Sequence, residues 1–267
     1  MMKSVSRYLS RAAVVALVAL SLGSGAMAAG GIALGVRPAA TAATGAETRV
    51  LQVGADLFIG DRVITGDNGQ VQIKFDDETE LVVGPNSSML LEDYLLRADG
   101  SAGKLAINAL SGTFRFVTGT APKDKYLIKT PTGTIGVRGT ALDFNVDEAG
   151  TKVLLYHGAV ILCNLKNICV TLDGTCEIGE YDLADSQILG PTSDFDGQDR
   201  QDLKAMFKYS ESQTPLLREF WVEKARECLN APFVGGTPEG PGVYGSGEGE
   251  QRPPDDGCND EETECPR

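Results

Sequence analysis

Residues 130–146 constrain the fold of this chain more than any other stretch, because their second half alternates strictly between two kinds of side chain. One side carries Thr140, Leu142, Phe144 and Val146, and the other carries Ala141, Asp143, Asn145 and Asp147. Successive side chains of a β-strand point to opposite faces, so this alternation predicts a half-buried strand. The first half contains three glycines, Gly133, Gly136 and Gly139. Because glycine tolerates unusual backbone angles, this half predicts a tight corner that places Arg138 beside the start of the strand.

Short segments of strand-forming residues recur along most of the chain. After a first one at 48–53, the predicted strands cover residues 63–65, 70–75, 80–83, 88–92, 104–108, 113–118, 126–130, 140–146, 152–156, 159–163, 168–172 and 183–189. Turn signals such as Asp67-Asn68-Gly69, Gly84-Pro85-Asn86 and Ser111-Gly112 separate them. Many short strands at close intervals predict an all-β fold, a sandwich or β-roll. A coiled β-solenoid has the same pattern and stays open.

Seven motifs in this region, taken together, resemble the FecR-type periplasmic domain. In chain order they are Gly60-Asp61-Arg62-Val63-Ile64-Thr65-Gly66, Gln72-Ile73-Lys74-Phe75, Leu81-Val82-Val83-Gly84-Pro85, Leu110-Ser111-Gly112-Thr113-Phe114-Arg115, Thr130-Pro131, Val137-Arg138-Gly139-Thr140 with Phe144, and Leu155-Tyr156-His157-Gly158-Ala159-Val160. The resemblance covers about residues 50–190. Its signature residues are Thr130, Pro131, Gly136, Val137, Arg138, Gly139, Thr140 and Phe144. Asp77-Glu78-Thr79 departs from it, because the resemblance implies Asp-Gly-Thr at that hairpin turn.

The resemblance implies a non-enzymatic binding or sensory module of the bacterial cell envelope. The family includes regulators that relay a signal from an outer-membrane receptor to a cytoplasmic sigma factor. That role needs a cytoplasmic segment, and eleven residues precede the first apolar run, so we expect the periplasmic half of the role alone. Its partner would be an envelope protein or glycan. Two alternatives stay open: a structural envelope or matrix protein, and a hydrolase that acts on envelope polysaccharide.

The first 28 residues have the features of a secretory signal peptide. Lys3, Arg7 and Arg11 precede an apolar run over residues 12–22, and Ala26-Met27-Ala28 provides a small-residue cleavage site. The run is shorter than the roughly 20 residues that a membrane span needs. We therefore expect cleavage after Ala28, a periplasmic or secreted protein, and no membrane span after cleavage. An uncleaved anchor is the alternative.

Composition divides the rest of the chain. We expect the signal peptide at 1–28, a flexible lead-in rich in small residues at 29–47, a FecR-like β-domain at 48–190, a helical appendage at 191–230 and a disordered acidic tail at 231–267. The tail holds nine acidic and two basic residues and too few apolar ones to offset the entropy of ordering. The net charge of −13 argues against nucleic acid or an anionic membrane as partner.

The appendage contains apolar residues at helical spacing. Thr214 and Pro215 suit a helix cap and first position, and Leu217, Phe220 and Trp221 begin an apolar stripe. These features predict an amphipathic helix of about 15 residues. We expect it to pack on the β-domain; docking of a partner is the alternative.

Six cysteines, Cys163, Cys169, Cys176, Cys228, Cys258 and Cys265, favour disulfides in an exported protein. Six cysteines allow many pairings, and the spacings favour Cys163–Cys169, Cys176–Cys228 and Cys258–Cys265. Zinc is the alternative, although the chain has no Cys-x-x-Cys pair.

Candidate catalytic groups are few, and we expect no enzyme, cofactor or metal site. His157 is the only histidine and is predicted to lie at a surface or turn. The acidic run 194–199 lacks the spacing of an EF-hand loop and is predicted to cap the helix that follows it. Arg138 is predicted to hold backbone carbonyls at the glycine corner, with Asp143 or another carboxylate as partner. Its alternative role is to grip a carboxylate or phosphate of a ligand.

Overall fold

The structure is a computed structural model, and it describes residues 29–93, 104–122 and 125–230 of the chain. The strands are β1 Ala29–Arg37, β2 Ala40–Thr44, β3 Glu47–Val50, β4 Asp56–Phe58, β5 Arg62–Thr65, β6 Gln70–Phe75, β7 Glu80–Val83, β8 Ser88–Asp93, β9 Leu105–Val117, β10 Tyr126–Thr130, β11 Gly133–Val146, β12 Thr151–Asn164, β13 Cys169–Leu172, β14 Glu177–Tyr181 and β15 Ser186–Pro191. The short helices are α1 Gly197–Met206, α2 Lys208–Glu211 and α3 Ala225–Leu229, with 3-10 turns at Thr192–Asp194 and Arg218–Phe220. The predicted all-β class is confirmed. In the described ranges no helix has the length and apolar character to span a membrane.

Three long strands, β9, β11 and β12, organise the sheet. Each contains a glycine with a positive φ: Gly112 at 106°, Gly139 at 65° and Gly158 at 87°. The sequence pattern predicted breaks between strands near these glycines, and that prediction is wrong. The glycines bend continuous strands, and the ladder between β11 and β12 shifts register at this bend. The glycine-rich half of β11 is likewise paired from Gly133 onward.

The bends divide one hydrogen-bonded sheet into two arms. The first arm runs β3-β2-β5-β8-β9-β10-β11-β12-β13, and the second runs β15-β14-β12-β11-β9-β7-β6-β1-β4. Only the pairing of β9 with β10 is parallel among the described ladders. The inward side chains of both arms form one core, in which Phe114 stacks on Phe144 at 4.9 Å and Phe116 meets Tyr126 edge-on at 5.9 Å. The arms therefore enclose a core as the two layers of a sandwich do.

Residues 29–47 are part of this fold, so the predicted flexible lead-in is wrong. β1 pairs with β4 and β6, and β2 pairs with β3 and β5. Ala33 and Ala42 are fully buried. At Gly31 an added Cβ would come within 3.0 Å of the Phe75 side chain. The small residues that resembled a linker are therefore present because neighbouring strands pack closely against them.

Residues 191–230, which we name the cover segment, pack on the outer face of the second arm. The predicted long helix is absent from them: Leu217 is extended, a 3-10 turn follows, and α3 has five residues. The backbone N–H of Leu217 donates to Gln72 Oε1 at 2.7 Å, and Pro215 O accepts from Gln70 Nε2 at 3.2 Å. These bonds tie the segment to β6 and hold it extended. The prediction that it packs on the β-domain is confirmed.

Candidate functional site

The two outer faces of the sandwich differ in what lies on them. On the second arm, Val82, Leu154 and Tyr156 are buried beneath residues of the cover segment such as Phe207, Phe220, Val222 and Leu229. We name this the covered face. On the first arm, we name the outer face that contains Arg62, Ile64, Lys129, Gly136, Arg138 and Ile161 the open face. No hydrophobic cluster among the described residues packs on it, and Ile64 and Ile161 are 42% and 50% exposed.

A buried ion pair lies at the centre of the covered face. Arg115 of β9 donates to Asp143 of β11 through Nε at 2.7 Å and Nη2 at 3.0 Å, and both side chains are fully buried. Tyr156 donates to the same carboxylate at 2.6 Å. Burial alone would lower the pKa of Arg115, but the attraction of Asp143 outweighs it and raises that pKa. Burial, with Asp143 nearby, also raises the pKa of Tyr156.

The cover segment completes this network. Arg115 Nη1 donates to Gln213 Oε1, and Gln213 Nε2 donates to Val222 O at 3.0 Å. The backbone N–H of Val222 donates back to Gln213 Oε1 at 2.7 Å. Among the described residues, each of the three side-chain nitrogens of Arg115 thus donates to a protein oxygen, which makes its role structural. Asp143 was one of the carboxylates offered as a partner for Arg138, and it pairs with Arg115 instead.

The disulfides support the same arrangement. Cys176, just before β14, is joined to Cys228 of α3, which fixes the end of the cover segment. Cys163 and Cys169 are joined across β12 and β13. Both predicted bridges are confirmed, whereas the predicted Cys258–Cys265 bridge lies outside the described residues.

Asp61 shows a second structural use of a signature motif. It is fully buried and accepts hydrogen bonds from Arg49, Thr44 and the backbone N–H of Phe58, the last at 2.8 Å. Burial would raise its pKa, but these donors, Arg49 above all, lower it. Its neighbour Arg62 points away from this cage and is exposed.

Most of the predicted signature residues lie inside the fold. Val137 and Phe144 are in the core, and Thr130 Oγ1 lies 3.0 Å from the hydroxyl of Tyr181. Thr140 is fully buried and donates its backbone N–H to Thr118 Oγ1 at 2.9 Å. Gly139 takes the positive φ at the bend. These residues position β11 and leave little for a ligand to contact.

Arg138 is the exception. It is exposed, and no hydrogen bond or ion pair to it is found within the described ranges, so its predicted structural role is wrong. It lines a shallow depression of about 600 Å³ together with Tyr126, Gly136, Val137, Ala159, Ile161 and Thr171. A Cβ added at Gly136 would come no closer than 3.8 Å to Ile161, so the floor beside Arg138 has room. Arg62 has no such partner in the described chain either.

A second cleft, of about 710 Å³, lies at the end of the sandwich. Its lining includes Pro85, Ser111, Gly112, Thr113 and Pro131, which come from three separate signature motifs. Thr113 is buried and its Oγ1 accepts from Asn145 Nδ2 at 2.9 Å. These residues shape the turns that close the fold.

The other residues singled out in the sequence, His157, Asp196 and Pro131, lie at the surface or at the start of a helix. His157 is exposed at the bend of β12, as predicted. Asp196 occupies the N-cap position of α1 but makes no side-chain cap hydrogen bond, so the predicted capping is only positional. Across the residues that the structure describes, no group of three or more potential ligands could hold a metal ion. Pro131 is exposed at the turn between β10 and β11.

Part of the chain matches a known protein family. Residues 61–161 match the family described as FecR protein. The chain contains a FecR-type domain. The match includes Asp61, the Arg115–Asp143 pair and the bend at Gly139, so the FecR-type motifs coincide with buried structural residues. No curated protein sequence matches the chain significantly.

Two similar solved structures are crystal structures of a candidate anti-sigma factor from Parabacteroides distasonis. The first has a TM-score of 0.39 and 12% identity, and the alignment covers 48% of this chain and 57% of that one. The second has a TM-score of 0.40 and 13% identity, with 55% and 74% covered. The chain thus spans little more than half of the first structure, and likeness at this level carries no weight for function.

Proposed function

We propose that this FecR-type protein is an exported, non-enzymatic binding or sensory module of the bacterial cell envelope, and that its open face docks on an envelope protein. The observation that carries the proposal is the difference between the two outer faces. One is sealed by the chain itself, while the other keeps exposed isoleucines beside Arg62 and Arg138, which have no ion pair or hydrogen bond among the described residues. Arginine is enriched at protein–protein interfaces relative to the rest of the protein surface.

The buried ionisable groups of the covered face support a binding role over a catalytic one. Arg115, Asp143 and Tyr156 are sealed beneath the cover segment, where no substrate reaches them. Their mutual hydrogen bonds account for their burial. The charged groups described on the open face are Arg62, Arg138 and the ion pair of Lys129 with Glu92, beside aliphatic side chains, and this set favours binding over catalysis.

Export is the second part of the proposal. The predicted signal peptide supports it, and so do two disulfides, which persist in oxidising compartments. Intact mass spectrometry after cell fractionation tests this part. We expect a periplasmic or secreted species whose mass begins at Ala29, whereas a full-length species in the membrane fraction would contradict export.

Photo-crosslinking in the native host tests the docking part. A photoreactive amino acid replaces Ile161 on the open face or, as a matched control, Leu217 on the cover segment, which is 41% exposed. We expect a discrete protein adduct from position 161 and none from position 217. The proposal fails if position 161 gives no adduct, or if position 217 gives the same one.

A further inference from the structure

We propose that the surface that docks on the open face is an acidic protein surface, and that Arg62 and Arg138 bind its carboxylates. This inference rests on the proposed function and specifies the chemistry of its partner. The signature motifs contain three arginines. Arg115 is buried in an ion pair with Asp143, which leaves Arg62 and Arg138 exposed.

The register of the first arm places both arginines on the same outer face. Arg62 pairs with Leu90, Leu90 with Asn108, Asn108 with Lys129 and Lys129 with Thr134, in one row across the sheet. Directly paired residues share a face, and so do residues two or four apart on a strand. Arg138 lies four residues after Thr134 on β11. The row spans four strand spacings, or about 19 Å, and Arg138 lies about 13 Å further along β11, so one partner surface can contact both arginines.

The charge of this region is opposite to that of the chain. In the part of the first arm from β5 to β13, the basic residues are Arg62, Lys129 and Arg138, and the acidic residues are Glu92 and Asp93. Lys129 and Glu92 form an ion pair. The whole chain carries a net charge of −13. A locally basic region on an acidic protein attracts an acidic partner surface and repels a basic one.

The side chains around the arginines favour a protein partner. Ile64 follows Arg62 by two residues on the same face, and Ile161 borders the depression of Arg138. Arginine beside exposed aliphatic side chains is a combination found at protein interfaces. The guanidinium fork matches a carboxylate with two parallel hydrogen bonds. An anionic membrane is disfavoured, because the rest of this acidic chain would be repelled from it.

Charge reversal tests the inference in the same photo-crosslinking assay. The variant R62E/R138E carries the photoreactive residue at position 161. The control K204E/R226E makes the same change of charge on the cover segment, where neither side chain has an ion pair among the described contacts. We expect R62E/R138E to reduce the adduct by about tenfold or more, because attraction becomes repulsion, and K204E/R226E to leave it unchanged. Mass spectrometry should find an acidic partner peptide in the adduct.

Each outcome separates the inference from the proposed function. An adduct that persists in R62E/R138E, or whose partner peptide is neutral or basic, overturns the inference but leaves docking intact. The inference is also overturned if the crosslinked partner survives protease treatment but is removed by lipid extraction or glycan digestion, because it is then a lipid or a glycan. No adduct from the parent protein would instead refute the docking proposal. If R62E/R138E proves unstable by thermal melting, R62Q/R138Q serves in its place, with a smaller loss expected.

Discussion

Arg115 and Arg138 are the same residue type, on neighbouring strands of one sheet, with opposite uses. Arg115 faces outward from the second arm, is fully buried beneath the cover segment and has its donors directed to Asp143 and Gln213. Arg138 faces outward from the first arm and is exposed without a described partner. What separates them is whether another part of the chain packs on that face. A signature arginine is therefore structural when its own chain supplies the carboxylate, and is available for binding when it does not.

The largest contrast should come from removing these two side chains in turn. Arg115→Leu leaves the Asp143 carboxylate buried without its cation, and should lower the free energy of unfolding by about 3–5 kcal/mol. Arg138→Leu removes an exposed group that has no partner in the described part of the chain, and should change the free energy of unfolding by less than about 0.5 kcal/mol. Urea denaturation measures both. Similar losses in the two variants would mean that the two faces are equally structural.

The disulfides provide a second contrast. Cys176→Ser with Cys228→Ser releases the cover segment and opens a loop of sequence separation 52, whereas Cys163→Ser with Cys169→Ser opens one of 6. Loop-closure entropy alone predicts losses of about 4 and about 2 kcal/mol, respectively. Denaturation of both double variants measures the difference. An equal or reversed order would show that the cover segment is held by packing and not by its bridge.

The bend offers a smaller contrast between two glycines of the signature. Gly139→Val forces a β-branched residue to φ +65° and should cost about 1–3 kcal/mol. Gly136→Ala introduces a Cβ that meets nothing closer than 3.8 Å, so we expect little change in stability. Thermal melting of both variants is the measurement. A Gly139→Val protein that melts like the parent would contradict the role of the bend.

The smallest effect concerns the rim of the covered face, where Glu80 lies near Lys74, Glu78 and Glu219. Burial raises the pKa of Glu80 to about 7; Lys74 opposes this and the other two carboxylates add to it. Between the ordinary pKa of 4.5 and about 7, only the folded state keeps the proton, so this group makes stability fall as pH rises through that window.

Glu80→Gln should remove this pH dependence. Because the site is partly exposed to solvent, we expect the variant to gain only about 0.5–1 kcal/mol over the parent above pH 7. Melting temperatures from pH 5 to 8 test this, with Glu148→Gln at an exposed position as control. If the melting temperatures of Glu80→Gln and the parent changed with pH in parallel, the role of Glu80 would be contradicted.

Sequence patterns predicted the features that depend on local geometry. Alternation from Thr140 to Val146 identified the inward side of β11, and all four inward residues are buried. Cys163 and Cys169 were predicted to pair because they flank a short turn. The glycines were assigned as turns because a bend inside a strand and a turn between strands use the same backbone freedom.

Features that depend on distant contacts were missed. The outward side of β11 was expected to be half exposed, yet Ala141 and Asp143 are fully buried because the cover segment packs there. The Arg115 partner of Asp143 lies 28 residues away. A lone aspartate between apolar strand residues was a signal of a buried pair, but it did not identify the cation. Helical spacing in the cover segment misled for the same reason, since Gln70 and Gln72 hold its backbone extended.

Hydroxyl-radical footprinting of the protein in its native envelope, compared with the purified protein, tests the central claim most directly. Ile64 and Ile161 report on the open face, while Ile32 and Leu217, of similar exposure, report on the second arm and its cover segment. We predict that oxidation of Ile64 and Ile161 falls in the envelope while that of Ile32 and Leu217 is unchanged. Unaltered oxidation on the open face, or protection confined to Ile32 and Leu217, would contradict the account.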